Sequence, residues 1–261
     1  MQSQEETWLL EEKYKGMESE AFHADLMLLR NGTPLAYLIG SIPFLDCTIY
    51  LDSHPLIPRT ETEYWIQEAI SNIRNCEDDC ATVLDLCAGS GAIGVAVAKA
   101  VPEAQVDFAD IDPTHLPLIQ KNIEKNLSSR KNLELDTKYR TIEADLFTTT
   151  GESSRKNLEL GKYDFILTNP PYIDPAIDRA ETSVKMHEPH LALYGGADGM
   201  ECIERIVEQA PQYLNHSGQL WIEHEPEQTA SITQLAQKHG FTTTTHKDQY
   251  GTERYTILVL Q

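Results

Sequence analysis

The sequence predicts an α/β fold, a mostly parallel sheet covered by helices on both faces. Three observations carry this reading. From Ala81 onward, short apolar segments alternate with stretches of helical periodicity, which is the rhythm of β-α-β units. The first of these segments, Thr82–Leu86, runs directly into a glycine-rich turn that opens a helix. A chain of 261 residues also suits one full α/β domain with a small appendage, long enough to bury a core.

The elements follow in order. Residues 5–30 read as one helix, with Phe22, Leu26 and Leu29 on one apolar stripe, stopped by Asn31-Gly32-Thr33-Pro34. Residues 35–51 carry aromatic and β-branched residues around Ser41-Ile42-Pro43 and read as a short hairpin. Thr60 or Thr62 stands where it can cap a helix through Tyr64, Trp65 and Ile70 to Arg74. The polar stretch Asn75–Cys80 reads as a linker. It divides an N-terminal unit, residues 1–74 (short helix, hairpin and linker helix), from the main domain, residues 75–261. In that domain strands are expected at Thr82–Leu86, Gln105–Ala109, Tyr139–Glu143, Tyr163–Thr168, Gln219–Glu223, Thr242–His246 and Tyr255–Leu260. Helices are expected at Ala92–Val101, Pro113–Leu127, Gly199–Leu214 and Glu227–His239. In such sheets ligands bind beyond the carboxyl ends of the strands, where the strand order reverses. One segment, Ser128–Leu135, recurs identically at Ser153–Leu160. It is too short for a solenoid unit and reads as a duplicated surface loop, the alternative being paired basic loops that meet an acidic partner.

Composition excludes several classes. Lys and Arg number 21 against 41 Asp and Glu, a net charge of −20. That sign repels nucleic acid at long range and argues against direct nucleic-acid binding. No apolar run approaches the roughly 20 residues that span a bilayer, and the N-terminus has no basic region followed by an apolar stretch. A cytoplasmic protein without membrane partners is expected. Five scattered cysteines, Cys47, Cys76, Cys80, Cys87 and Cys202, read as free thiols in a reducing compartment. Cys76 and Cys80 flank Glu-Asp-Asp, but no second Cys or His pair follows, so no metal site is expected.

Two motifs carry chemistry. The first is Asp85-Leu-Cys-Ala-Gly89-Ser-Gly91-Ala-Ile-Gly94, whose glycines permit a sharp turn and close approach of a ligand to the backbone. Asp110 ends the next strand, 21 residues after Gly89, where an acid can accept from both ribose hydroxyls. A nicotinamide dehydrogenase would use a similar loop. Two features favour a nucleoside–amino-acid ligand instead. Asp85 precedes the turn, where its carboxylate can hold the ammonium of a methionine moiety. Asp145, within Glu143-Ala-Asp-Leu-Phe147, can accept from an adenine amino group while the Leu146 backbone N–H reaches a ring nitrogen.

The second motif, Asn169-Pro170-Pro171-Tyr172, follows the strand ending at Thr168. Two prolines stiffen the turn, so that Asn169 is aimed over the ligand-binding edge. A planar amide or amine nitrogen has two N–H groups, which the Asn169 side-chain oxygen and the Pro170 carbonyl can accept, with Tyr172 stacked on the flat group. An amide nitrogen is a poor nucleophile, and holding both N–H groups fixes it in line with an electrophilic methyl carbon. The same acceptors stabilise positive charge developing on nitrogen.

With these motifs the chain resembles the PrmC/HemK family, the N5-glutamine methyltransferases of class I peptide-chain release factors. The match runs from about Gly32 to the C-terminus. It rests on Pro34-Leu-Ala-Tyr-Leu-Ile-Gly40, Leu56-Ile-Pro-Arg-Thr-Glu-Thr-Glu63, Asp85 to Gly94, Asn169-Pro-Pro-Tyr-Ile-Asp174, Glu188-Pro-His-Leu-Ala-Leu193 with Gly195-Gly196 and Asp198-Gly199, and Ile222-Glu223-His224. The resemblance implies a seven-stranded, Rossmann-like class I methyltransferase sheet whose last strand is antiparallel. It implies S-adenosylmethionine as methyl donor, and as substrate the glutamine of a release factor's Gly-Gly-Gln loop. Asn169, Pro170 and Tyr172 then grip the glutamine amide beside Pro171. Arg59 and Glu61 fall in a loop near substrate and cofactor, and Glu188 in a segment lining the same cleft. The chain departs from the family pattern at Cys87 and Ala88, commonly Gly and Thr, at Thr60 for Pro, and at Glu225 for Gly. The segment before Pro34 is shorter than the family's usual helical domain, which leaves the docking of the partner open. Two other readings compete. A nucleic-acid adenine N6-methyltransferase with the same Asn-Pro-Pro-Tyr grip would carry a target-recognition region and a basic groove. A non-catalytic ligand-binding protein on this fold would have lost Asn169 or Asp85, and both are present.

Overall fold

The computed structural model describes residues 3–76, 80–127, 138–156 and 158–261. Helix α1 (Gln4–Trp8) starts on a capping box between Ser3 and Glu6 and continues as one π-helical turn, Leu9–Lys13. Lys15 and Gly16 then both take positive φ and end it. Helix α2 (Glu20–Arg30) begins afresh, with the Ser19 hydroxyl accepting from the Phe22 N–H. The single helix expected over residues 5–30 is therefore two, because a left-handed stop and a serine start outweigh a continuous apolar stripe. Residues Leu35–Ile39 form α3, a short helix where the sequence reading has hairpin, and the hairpin itself is only β1 (Ser41–Phe44) and β2 (Cys47–Tyr50). Leu9, Phe22, Leu26 and Leu38 make a small core of their own.

Helix α4 (Thr60–Arg74) has Arg59 at its N-cap and no side-chain cap bond. Neither Thr60 nor Thr62 caps it; Thr62 is inside the helix, and its hydroxyl turns inward to Glu223. Strand β3 (Thr82–Leu86), α5 (Ala92–Ala100), β4 (Gln105–Asp110), α6 (Leu116–Leu127) and β5 (Tyr139–Asp145) follow. Next come β6 (Thr148–Thr149), α7 (Gly151–Arg155), β7 (Tyr163–Thr168), α8 (Thr182–His187), α9 (His190–Leu193) and α10 (Glu201–Gln209). Strand β8 (Leu214–Glu223), α11 (Thr229–Lys238), β9 (Phe241–Lys247) and β10 (Glu253–Leu260) complete the order. The first copy of the repeated segment and part of the expected linker, residues 77–79, lie outside the described residues. The second copy begins inside α7, where the Ser153 hydroxyl accepts from the Glu143 N–H.

Apart from the β1-β2 hairpin, the strands of the described residues form one sheet in the order β6-β5-β4-β3-β7-β8-β10-β9. It has eight strands rather than seven, because Thr148–Thr149 folds back antiparallel on Ala144–Asp145, a pairing too short to leave a period in the sequence. Strands β5, β4, β3, β7 and β8 are parallel. Strand β10 is antiparallel to both β8 and β9, as the resemblance implies. The chain leaves β3 towards β4 on one side and returns to β7 on the other, so the carboxyl ends of β3 and β7 flank the reversal of strand order, where such sheets bind ligands.

Each face of the sheet buries a core. On one face α4, α5, α6 and the hairpin cover Val83, Phe108, Leu167 and Trp221. On the other, α10 and α11 cover Leu84, Ile142, Ile166 and Ile222. Trp65 of α4 stacks on Trp221 and Tyr255, with ring centroids 6.3 and 5.9 Å apart. Helix α5 lies close on the sheet because position 94 has no side chain: a Cβ there would overlap the Phe108 ring. Gly94→Ala is therefore expected to lower unfolding free energy by about 1–3 kcal/mol, and Phe108→Leu to recover part of it in the double variant. Urea denaturation of the four proteins of this cycle checks this, and additive losses would refute the proposed clash.

Candidate active site

A cavity of about 310 Å³ opens at the carboxyl ends of the central strands. Its lining collects one short stretch from each: Cys87 and Gly89 after β3, Asp110 and Ile111 after β4, Asp145 and Leu146 at the end of β5, and Asn169 and Pro171 after β7. The opposite wall is Leu191 of α9 and Tyr194 at its end, with Glu201, Cys202 and Arg205 of α10. Residues far apart in sequence meet here because parallel strands bring their ends to one edge.

Asp110 is buried, and each carboxylate oxygen already accepts one backbone N–H, Oδ2 from Gly89 at 2.7 Å and Oδ1 from Asp112 at 2.9 Å. These bonds tie the glycine turn to β4 and leave each oxygen a further lone pair. Burial raises the Asp110 pKa against the pull of these N–H groups and of His115. Asp145 Oδ1 is paired with Arg205 at 2.8 Å at the cavity rim, and Leu146 takes a positive φ of 54°.

Asp85 does not line the cavity. It is fully buried behind the glycine turn, where Oδ2 accepts from the Gly94 N–H at 2.8 Å and Oδ1 has no partner. Burial first, and the nearby Asp110 as well, push its pKa well above the carboxylate range. Gly91 also lies off the cavity, at the N-cap of α5. Asn169 sits on the cavity edge, Pro170 is buried behind it, and Tyr172 turns to a second cavity of about 550 Å³ that shares Glu201 with the first. The Tyr172 hydroxyl donates to Glu223 Oε1 at 3.0 Å, and its carbonyl accepts from Gln228. Gly199, at φ 67°, packs so closely on that carbonyl that a Cβ would collide with it.

Arg59 and Glu188 do not line the cavity; they meet each other. The Arg59 guanidinium pairs with Glu188 Oε1 at 2.6 Å, and the Ile57 N–H donates to Oε2 at 3.0 Å. This half-buried clasp holds the Pro58 loop to the segment between α8 and α9. Several residues were not placed in the site by the sequence reading. Ile111 and Glu201 had no signal beyond their neighbours. Cys87, at φ 60°, and Cys202 are tied together: Cys87 lowers the Cys202 thiol, which raises that of Cys87 in turn. Thr62, Trp65 and Glu223 form a hydrogen-bonded row behind Asn169. Among the described residues no group of three or more His, Cys, Asp or Glu could hold a metal ion, and no helix is long and apolar enough to cross a membrane.

Comparison with known proteins agrees with this geometry. The family model for the methyltransferase small domain matches residues 70–188. A release factor glutamine methyltransferase of Rhodopirellula baltica is 37% identical over 235 residues, which cover 88% of this chain and 74% of that protein. The chain belongs to the release factor glutamine methyltransferase family. A second member, from Streptococcus pneumoniae, is 34% identical over 229 residues, covering 86% of this chain and 74% of that one. Family membership makes the chain an enzyme, a protein-glutamine methyltransferase, on the class I methyltransferase fold. That fold is shared with the N-terminal domain of human METTL16 in complex with SAH, at a TM-score of 0.55 and 16% identity over 82% of this chain and 75% of that one.

The buried charge of Asp85 has a consequence for stability. Its folded-state pKa is raised above the unfolded value, so its contribution is most favourable at acid pH and is lost as pH rises through the folded pKa. Asp85→Asn is thus expected to gain in melting temperature over the wild type as pH rises from acid to neutral, in the protein without ligand. Thermal melts across that range check it, and a gap that narrows with rising pH would contradict it.

Proposed function

We propose that the protein transfers a methyl group from S-adenosylmethionine to the side-chain amide nitrogen, N5, of the glutamine in the Gly-Gly-Gln loop of a class I peptide-chain release factor. The observation that carries this reading is that Asn169 shares one cavity with Asp110 and Asp145: an amide-gripping residue stands at the rim of an acid-lined nucleoside site. The names of the family members at 37% and 34% identity support the substrate.

The donor set fits S-adenosylmethionine. Asp110 offers two oxygens to the ribose hydroxyls, and Asp145 Oδ2 and the Leu146 N–H suit an adenine edge. Gly89 gives backbone access, with Gly91 setting the turn into α5. Asp85, with one buried oxygen unpartnered, supplies negative charge that a cationic ligand would relieve. S-adenosylmethionine, when bound, supplies an electrophilic methyl group on sulfonium. The protein's own residues do the rest. Asn169 Oδ1 and the Pro170 carbonyl accept the two amide N–H groups beside Pro171, and Tyr172, anchored through its hydroxyl to Glu223 and turned to the second cavity, holds the turn that carries them. Holding the nitrogen in line contributes roughly 7–11 kcal/mol at best, and the two acceptors favour the positive charge that develops on nitrogen. Proton loss follows methyl transfer and needs no dedicated base. Arg59 and Glu188 act on the site through their clasp, which fixes the wall that faces the substrate. A protein substrate used in translation termination places the enzyme in the cytoplasm.

The direct test is incubation with S-adenosylmethionine and an unmethylated release factor, with the added methyl mapped by peptide mass spectrometry. Methylation of the Gly-Gly-Gln glutamine is expected; binding of S-adenosylmethionine without it would refute this substrate. Asn169→Ala should cut turnover by roughly 10²–10³-fold with cofactor affinity nearly unchanged. Asp110→Ala should instead weaken cofactor binding, as read by calorimetry.

A further inference from the structure

Behind Asn169 runs a row of hydrogen bonds whose direction is determined at every link. Glu223 is buried. Its Oε2 accepts from the Trp65 indole N–H at 2.7 Å and from the Thr62 hydroxyl at 2.7 Å, and its Oε1 from the Tyr172 hydroxyl at 3.0 Å. An indole N–H only donates, so Oε2 is an acceptor. With Glu223 ionised both its oxygens only accept, so the single proton of the Thr62 hydroxyl goes to Oε2 and the Thr62 oxygen can only accept. What faces it, at 3.3 Å, is Asn169 Nδ2. Turning the Asn169 amide over would set two oxygens against each other with no proton between them.

We propose that Thr62 and Glu223 are positioning residues that fix the polarity of Asn169, so that Oδ1 and never the NH₂ group meets the substrate. The proposal rests on the reading that Asn169 receives the substrate amide. Its consequence is selectivity. A locked acceptor welcomes the N–H groups of glutamine and opposes a glutamate carboxylate, which has no proton to give and brings negative charge. An unlocked Asn169 could rotate and offer its NH₂ group to the carboxylate. The plainer account is that the row merely ties α4 and β8 to the loop after β7. That account predicts lost stability without changed selectivity.

The test uses the full chain with Thr62→Val, which keeps the shape and removes the acceptor, and Thr62→Ser, which keeps the acceptor. Turnover is measured on an unmethylated release factor, and inhibition is measured with the same factor carrying Gly-Gly-Glu. Thr62→Val should lower kcat about tenfold, the equivalent of one hydrogen bond, with S-adenosylhomocysteine affinity unchanged. The preference for the glutamine form over the glutamate form should narrow by a similar factor, and Thr62→Ser should restore both. Loss of stability with the preference intact, or Thr62→Ser behaving as Thr62→Val, would overturn the proposal. A wild type inactive on the release factor would refute the substrate instead. The polarity is then decided in the free protein by NMR, where the Asn169 amide protons should show a nuclear Overhauser contact to the Thr62 methyl; its absence overturns the proposal.

Discussion

A carboxylate buried away from water must collect its hydrogen-bond donors from the protein, and Glu223 collects three from two separate segments. Trp65 and Thr62 come from α4, and Tyr172 from the turn after β7. Burial pushes the Glu223 pKa up, and its donors, with Arg254 beyond them, pull it back. The result is a fixed angle between α4, the end of β8 and the Asn-Pro-Pro-Tyr turn. The Trp65 ring that supplies one donor also anchors the aromatic stack on Trp221 and Tyr255, so the polar row and the apolar core hold the same helix in place.

The same edge of the sheet concentrates negative charge. Asp85, Asp110 and Glu223 are all buried there, and all three have raised pKa values for the same first cause, loss of water. His115 near Asp110 and Arg254 near Glu223 offset this in part. Desolvated acids with spare lone pairs gain most from a cationic or hydrogen-bond-donating ligand. The cavity is thus prepared electrostatically as well as in shape.

Much of this was legible in the sequence. The strands of the main sheet announced themselves as short apolar runs bounded by turns, and the seven expected ones, five parallel and two antiparallel, appear where their patterns put them. Asp110, Asp145 and Asn169 share a cavity because each ends a strand, a placement that spacing alone reveals. Other features depend on contacts between distant residues. Arg59 and Glu188 are 129 positions apart, and no local signal says that they satisfy each other instead of facing a ligand. Thr62 looks like a helix cap because capping residues and buried hydroxyls are the same residue types; only the position of Glu223, 161 residues away, decides between them. The break at Lys15–Gly16 and the two-residue strand β6 were lost because each is shorter than one period of the patterns that would reveal it.

Strand β10 fills the slot between β8 and β9, bonded to both, and Tyr255 on it also stacks against Trp65 and donates to Glu68 of α4. Chains are made from the N-terminus, and domains fold as their segments leave the ribosome. Here the far half of the sheet has a gap, and α4 lacks part of its packing, until Glu253–Leu260 has emerged. Long-range pairing of this kind is slow to form, so the far half of the sheet and the packing of α4 are completed together, when β10 enters its slot.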